Sequence, residues 1–210
     1  MTTLEQLFPT HLYRAPLARG TVGARLRDDL ERAALQIAED DRAGQAWSRE
    51  HGYKGYTSYA SLDDLPWRDP SFGELAERLD GHAADFARAL DFDLTGRKLV
   101  LDSFWINVLE PGGQHGSHIH PGSVISGTYY VAVPDGAAGL KLEDPRLGFM
   151  MGAPPQRASV RAANRRFVEV VPKPGTVLMW ESWLRHEVPV SRARVRRISI
   201  SFNYALGPLT

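Results

Sequence analysis

The chain has 210 residues, a formal net charge of zero, 43% hydrophobic and 24% charged residues, and no cysteine. This composition is that of an ordinary globular protein, long enough to bury a core. The lack of cysteine excludes disulfides, thiolate catalysis and cysteine-ligated zinc, so any metal would bind to histidine, carboxylate or carbonyl groups.

The first residues, MTTLEQLFPTHLYR, lack the apolar core of a signal peptide. No apolar run in the sequence is long enough to span a membrane. We therefore expect a cytoplasmic protein without membrane contact.

Two amphipathic helices are predicted in the N-terminal part. In residues 22–41, and again in 69–92, apolar side chains recur every three or four positions with charges between them. Ser71 and Glu74 have the spacing of a capping box for the second helix. Between the helices, residues 45–68 hold five aromatic side chains without periodicity. They form either a lid over a pocket or a packed loop.

After Gly96 the sequence changes to short β-branched or aromatic segments separated by Pro, Gly and Asp turns. Six such segments are KLVLDSFWINVL, SGTYYVAV, GLKLED, RFVEVV, TVLMW and RRISISFNYAL. They predict an antiparallel sandwich or barrel with the helices on one face. We expect a single domain over residues 1–210, in which residues 1–95, the helices and the aromatic loop, pack on a β core of residues 96–210.

The charge is unevenly distributed along the chain. Residues 1–140 hold 13 Lys/Arg and 20 Asp/Glu, whereas residues 141–210 hold 12 and 5. The later arginines cluster over 157–166 and 192–197. A nucleic-acid groove is one interpretation, but no aromatic-interleaved binding motif accompanies these arginines. We therefore favour the interpretation that these arginines form solvated faces, whose positive charge balances the acidic part of the chain or a partner subunit. A homodimer stays an open expectation.

Three of the seven histidines lie in QHGSHIHPG, residues 114–122. On an extended strand residues i and i+2 point to the same side, so His118 and His120 should project together onto one ion or form a hydrogen-bonded structural pair. His186, expected at the end of the strand that follows PKPGTV, is the candidate third ligand. Three histidines with open metal positions indicate non-haem Fe(II) chemistry more than structural zinc.

A longer pattern surrounds these histidines. The block NVLEPGGQHGSHIHPGSVISGTYYVAVP, followed by GLKLEDPR, PKPGTVLMWESWLRHEV and RRISISFN, resembles the small bacterial family of 2-oxoglutarate and Fe(II)-dependent dioxygenases that share an HxHP…SGxYY pattern. The resemblance covers residues 97–206 and implies a mainly β, cupin-like double-stranded β-helix (jelly roll) with the metal at its open end. It implies Fe(II), 2-oxoglutarate and O2 as cofactors and cosubstrates. The implied reaction oxidises, by hydroxylation, a small-molecule or peptide substrate and releases succinate and CO2; the sequence does not identify the substrate.

The resemblance also implies the catalytic metal ligands. His118 stands at the first histidine of the superfamily pattern and His186 at the distal one, while His120 replaces the usual acid. The replacement gives the Fe(II) site one more positive charge, which should strengthen capture of a dianionic 2-oxo acid but leaves the use of 2-oxoglutarate open. Glu187, Asp144 or a water could supply the remaining ligand, and His115 is expected near the site or at the surface.

Four further residues match cosubstrate-binding positions of relatives. Arg197, 11 residues after His186, matches the arginine that holds the far carboxylate of 2-oxoglutarate, and Ser199 completes an RxS pattern. Tyr130 resembles a tyrosine that bonds to the same carboxylate in prolyl-hydroxylase-like enzymes. Asn107 keeps the spacing found in alkylation-repair dioxygenases and should face the pocket.

Two other functions fit the same histidines. The first is a cupin-type three-histidine metalloenzyme that does not use 2-oxoglutarate, although PGSVISG lacks the glutamate of the cupin pattern. The second is a non-catalytic, metal-stabilised jelly-roll binding module.

Overall fold

A computed structural model describes residues 2–209 of the chain. In this range the helices are α1 Gly20–Asp40, α2 Arg42–Glu50, α3 Leu65–Arg68 and α4 Pro70–Ala89. The strands are β1 Tyr13–Pro16, β2 Gly55–Thr57, β3 Arg97–Leu109, β4 His115–His118, β5 Ile125–Ala132, β6 Leu140–Glu143, β7 Phe167–Val170, β8 Thr176–Glu181, β9 His186–Val188 and β10 Arg197–Pro208. Two short 3₁₀ helices, Leu147–Phe149 and Ala162–Asn164, lie in the connection between β6 and β7.

The strands form two antiparallel sheets. The major sheet has the order β1-β8-β5-β10-β3-β2, and the minor sheet has the order β4-β9-β6-β7. From β3 onward the chain alternates between the two sheets, except that β6 and β7 are neighbours in the minor one. This is the predicted double-stranded β-helix, and the expected fold class is confirmed.

Side chains alternate between the two faces of the major sheet, and each face packs against a different part of the molecule. In β10, Ile198, Ile200 and Phe202 belong to a large apolar core that also contains the inner faces of α1 and α4. The alternate residues of β10, beginning with Arg197 and Ser199, point to the other face, which lies between the two sheets. A smaller apolar core there joins the major and minor sheets. The space between the sheets is therefore the part of the fold in which polar side chains of β10 are buried.

The start of α4 differs from the predicted capping box. Asp69 is the N-cap and accepts a hydrogen bond from the backbone N–H of Ser71 at 2.9 Å. Pro70 occupies the first helical position, where its fixed φ and missing N–H are favourable, so the N-cap lies two residues earlier than the capping box predicts. Glu74 instead forms a salt bridge of 2.7 Å with Arg25 of α1.

Residues 45–68 are not one irregular loop. Asp41 ends α1 and caps α2 by accepting from the N–H of Gly44 at 3.0 Å, so the chain re-enters a helix at once. The segment then adds β2 to the edge of the major sheet beside β3. Within the described residues, no helix combines the length and apolarity needed to cross a membrane.

Candidate metal centre

Three imidazoles meet where β4 ends and β9 begins. His118 and His186 face each other in the β4–β9 ladder. Ligand nitrogens of His118, His120 and His186 all lie within 4.8 Å of one another. The ring centroids are 4.3 Å apart for His118 and His186, 4.9 Å for His118 and His120, and 5.2 Å for His120 and His186. Three converging imidazole nitrogens can hold a transition metal and leave positions open for other ligands.

Two details of the predicted local structure are wrong. Strand β4 ends at His118, so His120 lies beyond it and does not share a strand face with His118. A turn brings His120 back to the cluster, and its backbone N–H donates to the Ser182 carbonyl at 3.1 Å. His186 begins β9 and does not end the strand after PKPGTV, because that strand stops at Glu181.

Hydrogen bonds fix the orientation of two of the rings. His118 Nδ1 lies 2.7 Å from the Gly116 carbonyl oxygen, and His186 Nδ1 lies 2.8 Å from the Leu184 carbonyl oxygen. A carbonyl only accepts, so each Nδ1 carries the proton and each Nε2 presents a lone pair. This is the arrangement that a metal-binding histidine requires.

The electrostatics of the cluster favour neutral imidazoles. Burial, together with the nearby His118 ring, lowers the pKa of His186 to about 3 and that of His120 to about 4. Both rings are therefore neutral near pH 7 and available as ligands.

The other candidate ligands lie outside the cluster. Glu187 and Asp144 each form a salt bridge of 2.8 Å with a basic side chain. Among the residues that the structure describes, no carboxylate joins the three imidazoles. His115 stacks on His118 with ring centroids 4.7 Å apart, and burial lowers its pKa to about 4. It lies beside the cluster and is not part of it.

A cavity extends from the histidines into the space between the sheets. Strand β10 turns Arg197, Ser199 and Ser201 into it, and Arg197 is only 4% exposed. The guanidinium carbon of Arg197 lies 5.1 Å from the centroid of the Tyr130 ring. The empty space of the cavity, with open solvent at its mouth included, is about 520 Å³. Its other lining residues include Tyr53, Trp105, Asn107, Leu109, Leu140, Trp180 and Val188.

Three buried donor groups of the cavity wall have no hydrogen-bond partner within residues 2–209. They are Arg197 Nε, the Tyr130 hydroxyl and Trp180 Nε1. Burial raises the pKa of Tyr130, and the charge of Arg197 opposes that rise. Unpaired buried donors are rare in folded proteins, and a buried guanidinium without an acid is costly. A cavity with one free charge and two free neutral donors fits a buried anion such as a carboxylate.

Asn107 connects the cavity to the segment between α2 and α4. Its Oδ1 accepts from the Thr57 hydroxyl at 3.1 Å and from the Tyr53 hydroxyl at 3.3 Å, while its Nδ2 donates to Ser201 Oγ at 3.0 Å. Asn107 therefore lies in the cavity wall, as expected, and holds Tyr53 there. A direct contact of Asn107 with a cosubstrate stays a prediction.

Trp180 and Tyr53 of this wall were not among the predicted site residues. Trp180 follows Leu178 by two positions in TVLMW, and this period-two signal could have placed it on the inner face. Tyr53 lies in an aperiodic segment, and nothing in the sequence distinguishes it from the other aromatic residues there.

Comparison with known families shows what this site resembles. Residues 103–203, just under half of the chain, match the family model described as "Putative 2OG-Fe(II) oxygenase". The matched segment contains all three clustered histidines together with Tyr130 and Arg197. The resemblance found in the sequence is confirmed by this match.

Solved structures share the fold of this chain at low sequence identity. HygX from Streptomyces hygroscopicus, solved with nickel, 2-oxoglutarate and hygromycin B bound, is 16% identical over 94% of this chain and 83% of that one, with a TM-score of 0.59. AviO1 from Streptomyces viridochromogenes Tue57 is 16% identical over 94% of this chain and 90% of that one, with a TM-score of 0.57.

An oxidoreductase of the 2OG-Fe(II) oxygenase family from Burkholderia pseudomallei is 20% identical over 61% of this chain, with a TM-score of 0.44. This chain spans only 50% of the length of that protein. A comparison with curated proteins gives no match.

Proposed function

We propose that this protein is an Fe(II) and 2-oxoglutarate-dependent oxygenase, which hydroxylates a small-molecule or peptide substrate and couples that oxidation to the conversion of 2-oxoglutarate and O2 into succinate and CO2. The observation that supports this most is the buried guanidinium of Arg197. It faces the same cavity as the three histidines and has no acidic partner among the described side chains. A buried guanidinium calls for an anionic partner, and the far carboxylate of 2-oxoglutarate would supply one.

The residues that would hold Fe(II) are His118, His120 and His186. Their ligand nitrogens already lie within 4.8 Å of one another, and two of the rings are fixed by backbone carbonyls, so little reorganisation is needed. Bound iron would supply a Lewis-acidic centre with open positions for the 2-oxo acid and for O2. A site built from neutral ligands keeps the full charge of the cation, which favours a dianionic cosubstrate.

The residues that would hold the far carboxylate of 2-oxoglutarate are Arg197, Tyr130 and Ser199. The guanidinium offers a planar fork of donors that suits a carboxylate, and it stays charged at any working pH. The Tyr130 hydroxyl is a free donor in the same cavity, and Trp180 Nε1 is a further one. HygX, solved with 2-oxoglutarate bound, supports such a cosubstrate for this fold.

The remaining wall residues would exclude water from the reaction. Leu109, Leu140 and Val188 give the cavity apolar sides, and the rings of Tyr53 and Trp105 complete it. A water-poor site strengthens the hydrogen bonds and charge interactions that orient the cosubstrate. It also protects a reactive oxidant from side reactions with solvent.

Anaerobic titration of the Fe(II) protein with 2-oxoglutarate tests the proposal. We expect a weak visible charge-transfer band that saturates with cosubstrate, followed by stoichiometric succinate when air is admitted. The cupin-type alternative predicts iron binding without the band, and the binding module predicts neither band nor succinate. The His118→Ala variant serves as the control and should give no band.

A further inference from the structure

His120 differs from the other two imidazoles in what holds its second nitrogen. Its Nδ1 lies 3.5 Å from the side-chain amide nitrogen of Asn203, whereas the Nδ1 atoms of His118 and His186 face carbonyl oxygens. A carbonyl can only accept, but an amide presents a donor or an acceptor at the same place, depending on how it is turned. The tautomer of His120 is therefore set by a side chain and not by the backbone.

Asn203 is one end of a buried polar relay that crosses the major sheet. It pairs with Ser126 in the β10–β5 ladder, and its Oδ1 lies 2.8 Å from Ser126 Oγ. Ser126 Oγ lies in turn 2.8 Å from Ser182 Oγ. All three side chains are buried. Ser182 also holds His120 directly, because its carbonyl accepts the His120 backbone N–H at 3.1 Å.

The hydrogen bonds of the relay can run in either of two directions, and each direction requires a different tautomer of His120. When the Asn203 oxygen faces Ser126, the amide N–H points to His120 Nδ1. His120 Nδ1 must then be unprotonated, so Nε2 carries the proton and cannot bind a metal. When the amide is rotated by half a turn, its oxygen accepts from His120 Nδ1–H and its nitrogen donates to Ser126, which donates to Ser182. Only this second direction leaves the Nε2 lone pair free.

We propose that Asn203 is a positioning residue that sets the metal-binding tautomer of His120 through the relay with Ser126 and Ser182. The inference rests on the proposed function, since it takes His120 as a metal ligand. The role of Asn203 meets a requirement that arises from the imidazole at position 120 of this chain. A carboxylate at position 120 would need no particular tautomer, whereas an imidazole there must carry its proton on the nitrogen away from the metal.

Zinc affinity, measured by competition with a chelator, tests the assignment. We expect Asn203→Leu, which removes the acceptor, to weaken Zn(II) binding by about 10- to 100-fold. Asn203→Asp, whose carboxylate can only accept from Nδ1–H, should bind Zn(II) at least as tightly as the wild type does. Ser103→Ala is the matched control. Ser103 Oγ also lies 3.5 Å from the Asn203 amide nitrogen, but its hydroxyl donates to Asp102 at 2.9 Å, so its loss should leave the affinity unchanged.

A second readout needs no variant and therefore does not depend on whether a buried substitution folds. Nitrogen NMR of the ¹⁵N-histidine-labelled wild-type protein with Zn(II) reports which ring nitrogen carries the proton. We expect protonated Nδ1 on His120, as on His118 and His186. An unprotonated Nδ1 on His120, or wild-type affinity in Asn203→Leu, would overturn the role of Asn203.

The His118→Ala variant separates this failure from failure of the metal site. If His118→Ala loses Zn(II) binding while Asn203→Leu keeps it, the metal site is supported and the role of Asn203 is refuted. If His118→Ala binds Zn(II) as the wild type does, both the metal site and the relay are refuted.

Discussion

Replacing Tyr130 with phenylalanine removes one oxygen atom and should act in opposite directions on the free protein and on its cosubstrate complex. The hydroxyl is buried and has no hydrogen-bond partner in the described part of the chain. An unsatisfied buried donor costs about 1–3 kcal/mol. The phenylalanine variant no longer contains this destabilising donor, and its ring still lies against Arg197. Its free energy of unfolding without ligands should therefore equal or exceed that of the wild type.

The cosubstrate complex should respond in the other direction. A hydrogen bond to a charged group contributes about 1.5–3 kcal/mol, which corresponds to roughly 10- to 150-fold in the dissociation constant. Urea denaturation of the ligand-free protein and anaerobic calorimetry of 2-oxoglutarate binding to the Fe(II) form measure the two effects separately.

Tyr129→Phe is the control for both measurements. Tyr129 is as buried as its neighbour but belongs to the core beneath the helices, so its variant should keep wild-type affinity for 2-oxoglutarate. The reasoning is refuted if Tyr130→Phe binds 2-oxoglutarate as tightly as the wild type does. A Tyr130→Phe protein clearly less stable than the wild type would contradict the unsatisfied hydroxyl.

Three further outcomes are expected. His118→Ala should abolish metal binding, measured as iron content after dialysis, whereas His115→Ala should retain iron; equal losses would place His115 among the ligands. Gly127→Ala should destabilise the protein by about 1–3 kcal/mol in urea, because an added Cβ would overlap a buried phenylalanine ring, while Gly148→Ala, with open space around it, should be harmless. Burial opposes ionisation of Asp41, but hydrogen bonds from a serine, a helix-end N–H and a tyrosine outweigh it and lower its pKa. Its stabilising contribution is therefore complete above the usual aspartate pKa of about 3.9 and is lost as the pH falls through the lowered value. Asp41→Asn should flatten the decline of stability with acid, and an unchanged profile would contradict this.

The jelly roll could be predicted because its signals are local. The segments that became β3, β5, β8 and β10 alternate or run in β-branched and aromatic residues, and turn residues separate them. The same alternation is enough to assign Arg197 and Ser199 to one face of β10. Short edge strands such as β1 and β2 were missed, because three or four residues carry too little pattern to distinguish them from loops.

Parts of the site that depend on turns and on sheet register could not be predicted. His120 joins the cluster through a turn held by Ser182, and the side-chain period of two predicted its proximity to His118 for a wrong reason. The contact of Asn203 with His120 exists because β10 lies between β3 and β5, an order that no single-strand pattern contains. Tyr53 reaches the cavity only because β2 extends the major sheet beyond β3.

X-ray data collected at the iron absorption edge, from crystals grown anaerobically with Fe(II) and 2-oxoglutarate, test the central claim most directly. The account predicts one anomalous peak among His118, His120 and His186, with the far carboxylate of the cosubstrate on Arg197. A peak away from the three imidazoles, or a cosubstrate that leaves Arg197 without a partner, would contradict it.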